Sequence, residues 1–417
     1  MSNRRLLAAL TALAMTFAVV TAAGCGDSSD QSSGDDNAIG YAGDGDTKSS
    51  DLSTGSDDWT HFGRDDQRTH WLPGPDSLDP PAKQKWTFSD RVLIEFPPAV
   101  YDGIAYIADK YGNVRALRLE DQKVLWDIQK DHRNVGPPTD TTAPAYADGH
   151  VFVAFQGGEM VSFEATTGKV AWRRNMQTGL QSSPLAVDGK IYLGSEKGIL
   201  FALDADTGKT DWTFKTETPI KTSPSIDGGR IFFANYSGSV FAVDAKTGKP
   251  DWETNTAGTA PGGQGGFYSS PAAAAGKIFL GRDDGLVYAF EQKTGKQAWY
   301  FQTEGDIYGS PAVAKTRNSP LTVYVGSYDS TLYALNAATG KKEWGFDVGG
   351  PVPGTATVVA NTVYTSSFKT GYSIGVDIES HEKVFSYDSP GYTPMISDGK
   401  NLYLVGYYTL HGFEPGK

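Results

Sequence analysis

Apolar and polar positions alternate in short runs along most of the chain, and turn-forming pairs separate the runs. In residues 183–194, apolar positions lie on both sides of Asp188-Gly189. An alternation with a period of two predicts short, half-buried β-strands, and Asp-Gly between two such runs predicts a tight hairpin. A second hairpin follows at Thr207-Gly208, where glycine can adopt the positive φ of a reverse turn. The pattern therefore predicts units of four short antiparallel strands.

An eleven-residue pattern closes each of these units. A clear copy runs from Ala202 to Trp212, near copies occupy residues 116–126, 162–172, 242–252, 289–299 and 334–344, and a weaker copy occupies 375–385. The closing aromatic residues lie 40 to 47 residues apart, and they are Trp86, Trp126, Trp172, Trp212, Trp252, Trp299, Trp344 and Phe385. A period of this length is typical of β-propeller blades.

The two ends of the repeat array complement each other. A last repeat begins at residues 392–394 but lacks its outermost strand, whereas residues 83–88 match residues 209–214 in type and spacing. We therefore predict an all-β fold for residues 59–417. The prediction is an eight-bladed β-propeller of four-stranded antiparallel blades, in which an N-terminal outer strand completes the C-terminal blade.

The pattern A-x-D-x-x-T-G-K-x-x-W resembles the tryptophan-docking motif of the pyrroloquinoline-quinone (PQQ) repeat superfamily. The resemblance covers residues 59–417. This superfamily includes PQQ-dependent alcohol dehydrogenases, BamB-type outer-membrane assembly lipoproteins and sensor propellers of bacterial kinases. The resemblance implies that Trp86, Trp126, Trp172, Trp212, Trp252, Trp299 and Trp344 pack between neighbouring blades. Such a motif specifies a fold and leaves the function open.

The first 58 residues have a different composition. Residues 1–24 combine a basic start, an apolar run and small residues at the end, which predicts a secretory signal peptide. Cys25 follows Ala22-Ala23-Gly24 and resembles the acylated cysteine of a bacterial lipobox, although Ala22 replaces the usual leucine. The alternative is an ordinary signal peptide with an incidental cysteine. Lipidation would anchor the protein to the outer side of a bacterial membrane, in the periplasm or at the cell surface.

Residues 25–58 are rich in Gly, Ser and Asp, which predicts a disordered acidic linker. The linker has a net charge of −8, which leaves −6 for the propeller. No basic stripe with interleaved aromatic residues is present in the sequence, so nucleic acid is not an expected partner.

Departures from the repeat indicate where a ligand or partner would bind. The insertions at 131–140 and 257–267 fall in connections between blades, on the face that we call the top face, and the first contains His132 and Arg133. The residue three positions before the aligned proline of each blade is expected at the top mouth of the channel. These residues are Glu95, Thr141, Gln181, Lys221, Tyr268, Tyr308, Gly350 and Gly391.

Four of these mouth residues carry the binding hypothesis. Tyr268 and Tyr308 come from adjacent blades, and Glu95 and Lys221 face each other as groups able to form an ion pair. Together they suit a small ligand or a peptide segment. The alternative is that they are only rim residues.

Three functions remain open at this point. The first is a non-enzymatic, membrane-anchored interaction scaffold with a BamB-like layout, which binds envelope proteins or peptide segments as a monomeric propeller. The second is a PQQ-dependent dehydrogenase, but one cysteine cannot form the disulfide of adjacent cysteines that many such enzymes carry. The third is a sensor propeller for PQQ or another small ligand. We expect no catalytic residues, no metal site and no cofactor, and enzymatic activity is therefore not favoured. PQQ with calcium stays possible, so enzymatic activity stays open.

Overall fold

The computed structural model describes residues 57–90, 92–129, 140–256, 265–393 and 395–416. These residues form eight sheets of four antiparallel strands, as predicted, and the short strand β1 (Trp71–Leu72) adds a fifth strand to the seventh sheet, parallel to its innermost strand. Their only helix is a 3-10 turn at Asp76–Leu78. No helix in these ranges is long and apolar enough to cross a membrane. The signal peptide, Cys25 and nearly all of the predicted linker lie outside the described residues.

Blades are numbered 1 to 8 in chain order, and each strand is given from the innermost to the outermost. The strands are, in blade 1, β3 (Ala99–Tyr101), β4 (Ile104–Ala108), β5 (Val114–Arg118) and β6 (Lys123–Ile128); in blade 2, β7 (Ala145–Ala147), β8 (His150–Ala154), β9 (Glu159–Glu164) and β10 (Val170–Asn175); in blade 3, β11 (Leu185–Val187), β12 (Lys190–Leu193), β13 (Ile199–Asp204) and β14 (Thr210–Lys215); in blade 4, β15 (Ser225–Asp227), β16 (Arg230–Ala234), β17 (Ser239–Asp244) and β18 (Pro250–Asn255). They continue, in blade 5, with β19 (Ala272–Ala274), β20 (Lys277–Gly281), β21 (Leu286–Glu291) and β22 (Gln297–Gln302); in blade 6, with β23 (Ala312–Ala314), β24 (Thr322–Gly326), β25 (Thr331–Asn336) and β26 (Lys342–Asp347); in blade 7, with β27 (Thr357–Val359), β28 (Thr362–Ser367), β29 (Tyr372–Asp377) and β30 (Lys383–Tyr387); and in blade 8, with β31 (Met395–Ser397), β32 (Leu402–Val405), β33 (Thr409–Pro415) and β2 (Ala82–Ser89).

The predicted closure of the ring is confirmed. Strand β2 pairs antiparallel with β33, and Trp86 lies opposite Gly412. This pairing gives blade 8 its fourth strand and covers the edge that β33 would otherwise expose.

The conserved spacing of the repeat docks the outer strand of one blade onto the next blade. The indole N–H of Trp126 in blade 1 donates to the Ala165 carbonyl of blade 2 at 2.8 Å, and its ring packs against Gly168. Equivalent indole bonds join Trp172 to Ala205, Trp212 to Ala245, Trp252 to Gln292 and Trp299 to Ala337, at 2.7 to 3.1 Å. A glycine with positive φ is needed in this turn because a Cβ at Gly168 would lie 2.7 Å from the Trp126 ring.

Two junctions between blades depart from this arrangement. In blade 7, His381 replaces the turn glycine, and its ring stacks on Trp344 at 4.8 Å. In blade 1, Gln122 takes the glycine position, and its side-chain amide donates to the Leu119 carbonyl at 3.2 Å. That carbonyl is equivalent to the one that accepts the indole elsewhere. Trp86 of blade 8 keeps the ring contact that the other tryptophans make within their own blades, at 5.9 Å from Tyr403.

Residues 59–72 form a segment that the repeat pattern did not predict, and we call it the channel segment. It follows the inner strands of blades 1 to 7 in order. In six of these blades, the amide of the middle residue of the inner strand donates to a channel-segment carbonyl. These bonds run from Val100, Tyr146, Ile226, Ala273, Val313 and Val358 to Trp59, Thr60, Asp66, Gln67, Thr69 and His70, at 2.7 to 2.9 Å. In blade 3, the bond is made by the His61 ring to the Ala186 carbonyl at 2.8 Å.

The channel segment also buries charge inside the ring. The Arg68 guanidinium is fully buried and donates to the carbonyls of Pro224 and Ser183 at 2.5 and 3.2 Å, and to that of Phe62. Burial lowers the pKa of Arg68 to about 9, so the group keeps its proton at neutral pH. Such a cation is tolerated because carbonyl oxygens of the segment and of two blades surround it.

The two histidines of the channel segment differ in their hydrogen bonding. His61 contacts the Ala186 carbonyl and the Thr60 hydroxyl at 2.8 Å each. Both ring nitrogens of His70 lack a hydrogen-bond partner among the described residues, and its ring packs edge-on against Phe62. Burial lowers the pKa of His61 to about 4 and that of His70 to about 3. Both rings are therefore neutral at physiological pH.

Candidate functional site

A cavity of about 330 Å³ opens on the top face, at the end of the channel. We call it the mouth. The residues that precede the inner strands line its wall, and Phe62 of the channel segment lines it from below. Because the channel segment occupies the ring beneath the cavity, the mouth is a pocket that is open at the top face and closed at its base.

A ring of hydroxyl groups fixes the wall of the mouth. Each comes from the residue just before the proline of an inner strand, or from Thr355, which precedes Ala356 at that position. Each hydroxyl accepts the amide of the equivalent residue in the preceding blade, at 2.9 to 3.2 Å. The order is Ala143 to Ser183, Ser183 to Ser223, Ser223 to Ser270, Ser270 to Ser310 and Ser310 to Thr355. Five contacts between neighbouring blades therefore hold the rim residues in register.

Four tyrosines form a continuous band beside the mouth, and we call this band the tyrosine arc. Its members, in order, are Tyr236, Tyr268, Tyr308 and Tyr328. Successive ring centroids lie 5.3, 5.5 and 5.1 Å apart in edge-to-face contact. Such contacts stabilise aromatic pairs beyond the area that they bury. Tyr236, Tyr308 and Tyr328 remain 37%, 36% and 41% exposed, so the arc presents ring surface to solvent.

One end of the arc already holds a cation. The Lys221 ammonium lies 4.7 Å from the Tyr236 ring centroid and 4.8 Å from that of Tyr268. The Tyr268 and Tyr236 hydroxyls share a hydrogen bond of 3.1 Å, and this bond, followed by burial, raises the pKa of Tyr236. The geometry is that of a cation–π contact with two rings.

The other end of the arc is acidic. The Tyr308 hydroxyl donates to the Asp306 carboxylate at 3.3 Å, and Asp283 accepts the Gly266 amide at 2.7 Å. Burial, followed by Asp306 and Asp283, raises the pKa of Tyr308 to about 12. Tyr308 therefore keeps its hydroxyl proton at neutral pH and donates it to Asp306.

Glu95 and Lys221 both line the mouth, but they do not form an ion pair with each other within the described residues. Glu95 pairs instead with Lys110 at 3.3 Å, and Lys110 also reaches Asp140 at 3.5 Å. Although burial disfavours the charge of Lys110, Glu95 and Asp140 raise its pKa. Lys110 lies on the turn between the second and third strands of blade 1, so it is nearer to Glu95 than any residue across the mouth.

The mouth contains five of the eight residues expected there. Glu95, Gln181, Lys221, Tyr268 and Tyr308 line the cavity. Thr141, Gly350 and Gly391 do not line it. In blades 7 and 8, residues that include Pro353 and Tyr392 line the cavity instead. Gly350 is misplaced because β27 follows Ala356, which makes Pro353 the equivalent residue. His132 and Arg133 lie outside the described residues.

Two members of the arc were missed by the sequence analysis. Tyr236 and Tyr328 lie on turns between the second and third strands, in Asn235-Tyr236-Ser237-Gly238 and Ser327-Tyr328-Asp329-Ser330. These turns lie on the same face as the inner-strand starts. Aligning this second turn across the blades would have revealed both tyrosines.

The sequence profile of a PQQ-repeat family, described as outer membrane protein assembly factor BamB, matches residues 110–265 and 224–411. Together the two matches cover more than half of the 417 residues. The chain belongs to this PQQ-repeat family. The resemblance of the tryptophan-docking motif is thus confirmed, and the eight blades are the fold expected of it.

Two curated relatives of this PQQ-repeat chain have different functions. It is 30% identical over 129 residues to 1-butanol dehydrogenase (cytochrome c) of Thauera butanivorans, which covers 28% of this chain and 18% of that enzyme. It is 25% identical over 92 residues to outer membrane protein assembly factor BamB of Escherichia coli, which covers 21% of this chain and 24% of BamB. Each alignment therefore spans under a quarter of the relative's length.

Solved structures of both kinds share the fold. BamB from Moraxella catarrhalis superposes with a TM-score of 0.66 at 16% identity, covering 80% of this chain and 99% of BamB. A europium-containing methanol dehydrogenase superposes with a TM-score of 0.72 at 14% identity, covering 86% of this chain and 98% of the enzyme. At these identities the likeness concerns the fold alone.

For dehydrogenases of the PQQ-repeat superfamily, the resemblance implies a top-face calcium held by acidic and amide side chains. Among the described residues that line the mouth, the one carboxylate is Glu95, which pairs with Lys110, while the Gln181 amide donates to Glu196 at 2.9 Å. Nowhere in the described ranges do three His, Cys, Asp or Glu side chains cluster as metal ligands. The described mouth does not fit a calcium–PQQ site.

Proposed function

We propose that this protein is a non-enzymatic interaction scaffold of the bacterial cell envelope, which binds protein or peptide segments on its top face. It is exported, acts as a single propeller and is held at the outer side of a membrane through acylated Cys25. The tyrosine arc is the observation that carries this proposal.

Exposed rings have a cost in water, and a band of four tyrosines, three of which are more than a third exposed, is unusual for a rim without a binding role. Tyrosine provides large contact area with little loss of rotamer freedom, so binding energy concentrates on such residues. The contacts among Tyr236, Tyr268, Tyr308 and Tyr328 hold the rings in place before a partner arrives. A preorganised surface loses less entropy on binding.

The comparisons support the scaffold without deciding it. The family description and the relative from Escherichia coli both name an assembly factor of an outer membrane, whose role is to act on other proteins. We infer that this chain likewise acts through protein contacts, with the arc as its binding surface.

The test is a cross-linking pull-down from membranes, combined with a thermal melt. The Tyr268→Ala/Tyr308→Ala variant should lose its partners while its melting temperature stays close to that of the parent. The matched Tyr268→Phe/Tyr308→Phe variant keeps both rings and should keep the partners. Retained partners together with a lowered melting temperature would show that the two tyrosines only stabilise the rim.

The competing function is alcohol oxidation with PQQ, and the alignment with 1-butanol dehydrogenase favours it. Titration of the purified protein with PQQ and calcium, followed by absorbance and by dye-linked alcohol oxidation, tests it directly. On the scaffold proposal, neither saturable PQQ binding nor oxidation is expected.

A further inference from the structure

The two ends of the tyrosine arc are alike in ring geometry and different in charge. Tyr236 and Tyr268 hold the Lys221 ammonium within 4.8 Å of both ring centroids. The ring centroids of Tyr308 and Tyr328 lie 5.1 Å apart with an interplanar angle of 69°, and those of Tyr236 and Tyr268 lie 5.3 Å apart. Among the described residues, no lysine or arginine lies over the Tyr308 and Tyr328 rings. One ring pair of the arc therefore binds an ammonium group. The other pair, Tyr308 and Tyr328, has no cation on it among the described residues, and we call it the open pair.

Two carboxylates lie beside the open pair. Asp306 contacts the Tyr308 hydroxyl at 3.3 Å, and Asp283 is close enough to act electrostatically on both groups. Neither carboxylate forms an ion pair within the described residues. The nearby Arg282 contacts Asp284 at 2.5 Å and acts on Asp283 only electrostatically, without forming an ion pair with it. The Asp306 carboxylate therefore has no ion-pair partner among the described residues.

We propose that the acidic end of the arc binds a lysine or arginine side chain, presented by an extended segment of a partner protein. This rests on the scaffold function proposed above and names the chemistry of the segment. The cation lies against the Tyr308 and Tyr328 rings, and Asp306 with Asp283 neutralises it. The face of a tyrosine ring attracts a cation, and so does a carboxylate at the edge of that ring, so the two attractions add.

The size of the arc favours a polypeptide segment over a free cation. Its three ring-to-ring steps of 5.3, 5.5 and 5.1 Å give a length of about 16 Å, which an extended chain of about five residues spans. Lys221 excludes a second cation from the Tyr236 end by charge repulsion. The segment is therefore expected to place its basic residue at the Tyr308 end and uncharged residues along the rest.

The experiment measures fluorescence polarisation of short labelled Gly-Ser peptides that carry arginine, lysine, glutamate or no charge, added to the purified propeller. Arginine and lysine peptides should bind, and their affinity should fall with added salt. The Asp306→Asn/Asp283→Asn variant should bind the arginine peptide about tenfold more weakly, since two charge pairs are lost. Tyr328→Leu should weaken binding, whereas Tyr328→Phe, which keeps the ring, should not.

The matched control is Asp206→Asn/Glu253→Gln, which removes two exposed carboxylates far from the arc and should leave binding unchanged. Equal binding of arginine and glutamate peptides would overturn the proposal, and so would an equal loss in the control variant. Spermidine that competes as well as the arginine peptide would also overturn it, because a free cation would then suffice. If none of the synthetic peptides binds, the proposal of a basic segment fails. The scaffold function is tested separately, by recovery of partners from membranes.

Discussion

Replacement of Trp126 by alanine is expected to lower the free energy of unfolding by about 3–5 kcal/mol. The indole is 8% exposed, and its N–H donates to the Ala165 carbonyl at 2.8 Å. The hydrogen bond accounts for about 1 kcal/mol of the loss, and apolar burial with the resulting cavity accounts for the rest. Trp126→Phe keeps most of the packing and should cost about 1–2 kcal/mol, mainly because the carbonyl loses its donor.

Gly168 of the next blade gives an internal check on this reasoning. Its φ is +72°, and a Cβ there would lie 2.7 Å from Cδ2 of Trp126. Gly168→Ala should cost about 1–2 kcal/mol for the left-handed backbone and about 1–3 kcal/mol for overlap with the ring. In the Trp126→Ala background the overlap disappears. The double variant should therefore be more stable than the sum of the single variants by about 1–3 kcal/mol.

Thermal unfolding followed by circular dichroism measures these differences. For a domain of this size, at about 2.1 cal/mol/K per residue, a loss of 3–5 kcal/mol lowers the melting temperature by about 4–7 °C. Gly189→Ala is the control, because Gly189 has φ of +70° and nothing within 4 Å of the added Cβ. If the Trp126 and Gly168 costs simply add, or if Gly168→Ala is no worse than Gly189→Ala, the indole does not dock on this turn.

Four further predictions concern the N-terminal part and pH. Deletion of residues 1–56 should leave the melting temperature unchanged, whereas deletion of residues 1–88 removes the channel segment and β2 and should abolish cooperative unfolding; equal melting temperatures would contradict the closed ring. Burial lowers the pKa of His70 from 6.5 to about 3. Below pH 6.5 the histidine is therefore protonated in the unfolded chain but stays neutral in the folded protein. Stability should then fall by about 3 kcal/mol between pH 6.5 and 4, and His70→Phe should flatten the slope in melts at several pH values. Asp66 acts oppositely, because burial and then Asp188 raise its pKa to about 6, so stability falls as pH rises from 4 to 6. Asparagine cannot ionise, and Asp66→Asn should therefore abolish this loss of stability. Cys25→Ser should move the protein from the membrane to the soluble fraction, and an unchanged membrane-bound pool would argue against lipidation.

The blades were predictable from the sequence because each repeat carries its own turn chemistry. Asp188-Gly189 and Thr207-Gly208 lie in hairpins of blade 3 where glycine has φ of +70° and +67°. Local signals of this kind need no knowledge of distant residues. The closing strand β2 was predictable for the same reason, since it repeats the pattern of the other outer strands.

The binding surface was predictable only where it follows the repeat. Tyr268 and Tyr308 occupy equivalent positions of adjacent blades, so their proximity follows from the period. The partner of Glu95 does not, because Lys110 comes from a different turn and reaches it through side-chain length. The channel segment has no period at all, and its bonds to seven inner strands connect residues that lie far apart in sequence.

That channel segment sets the order in which the protein can fold. Its residues leave the ribosome before every strand that they contact, and β2 must wait for β33 at the other end of the chain. Long sequence separation makes such contacts slow to form, since the loop-closure entropy must be lost before they contribute. Blades can therefore assemble one after another from their local hairpins, while threading of the segment and closure of the ring form a final step. Pulse-labelling hydrogen exchange during refolding should show the amides of Val100, Val313 and Val358 protected last, after the interiors of their own blades.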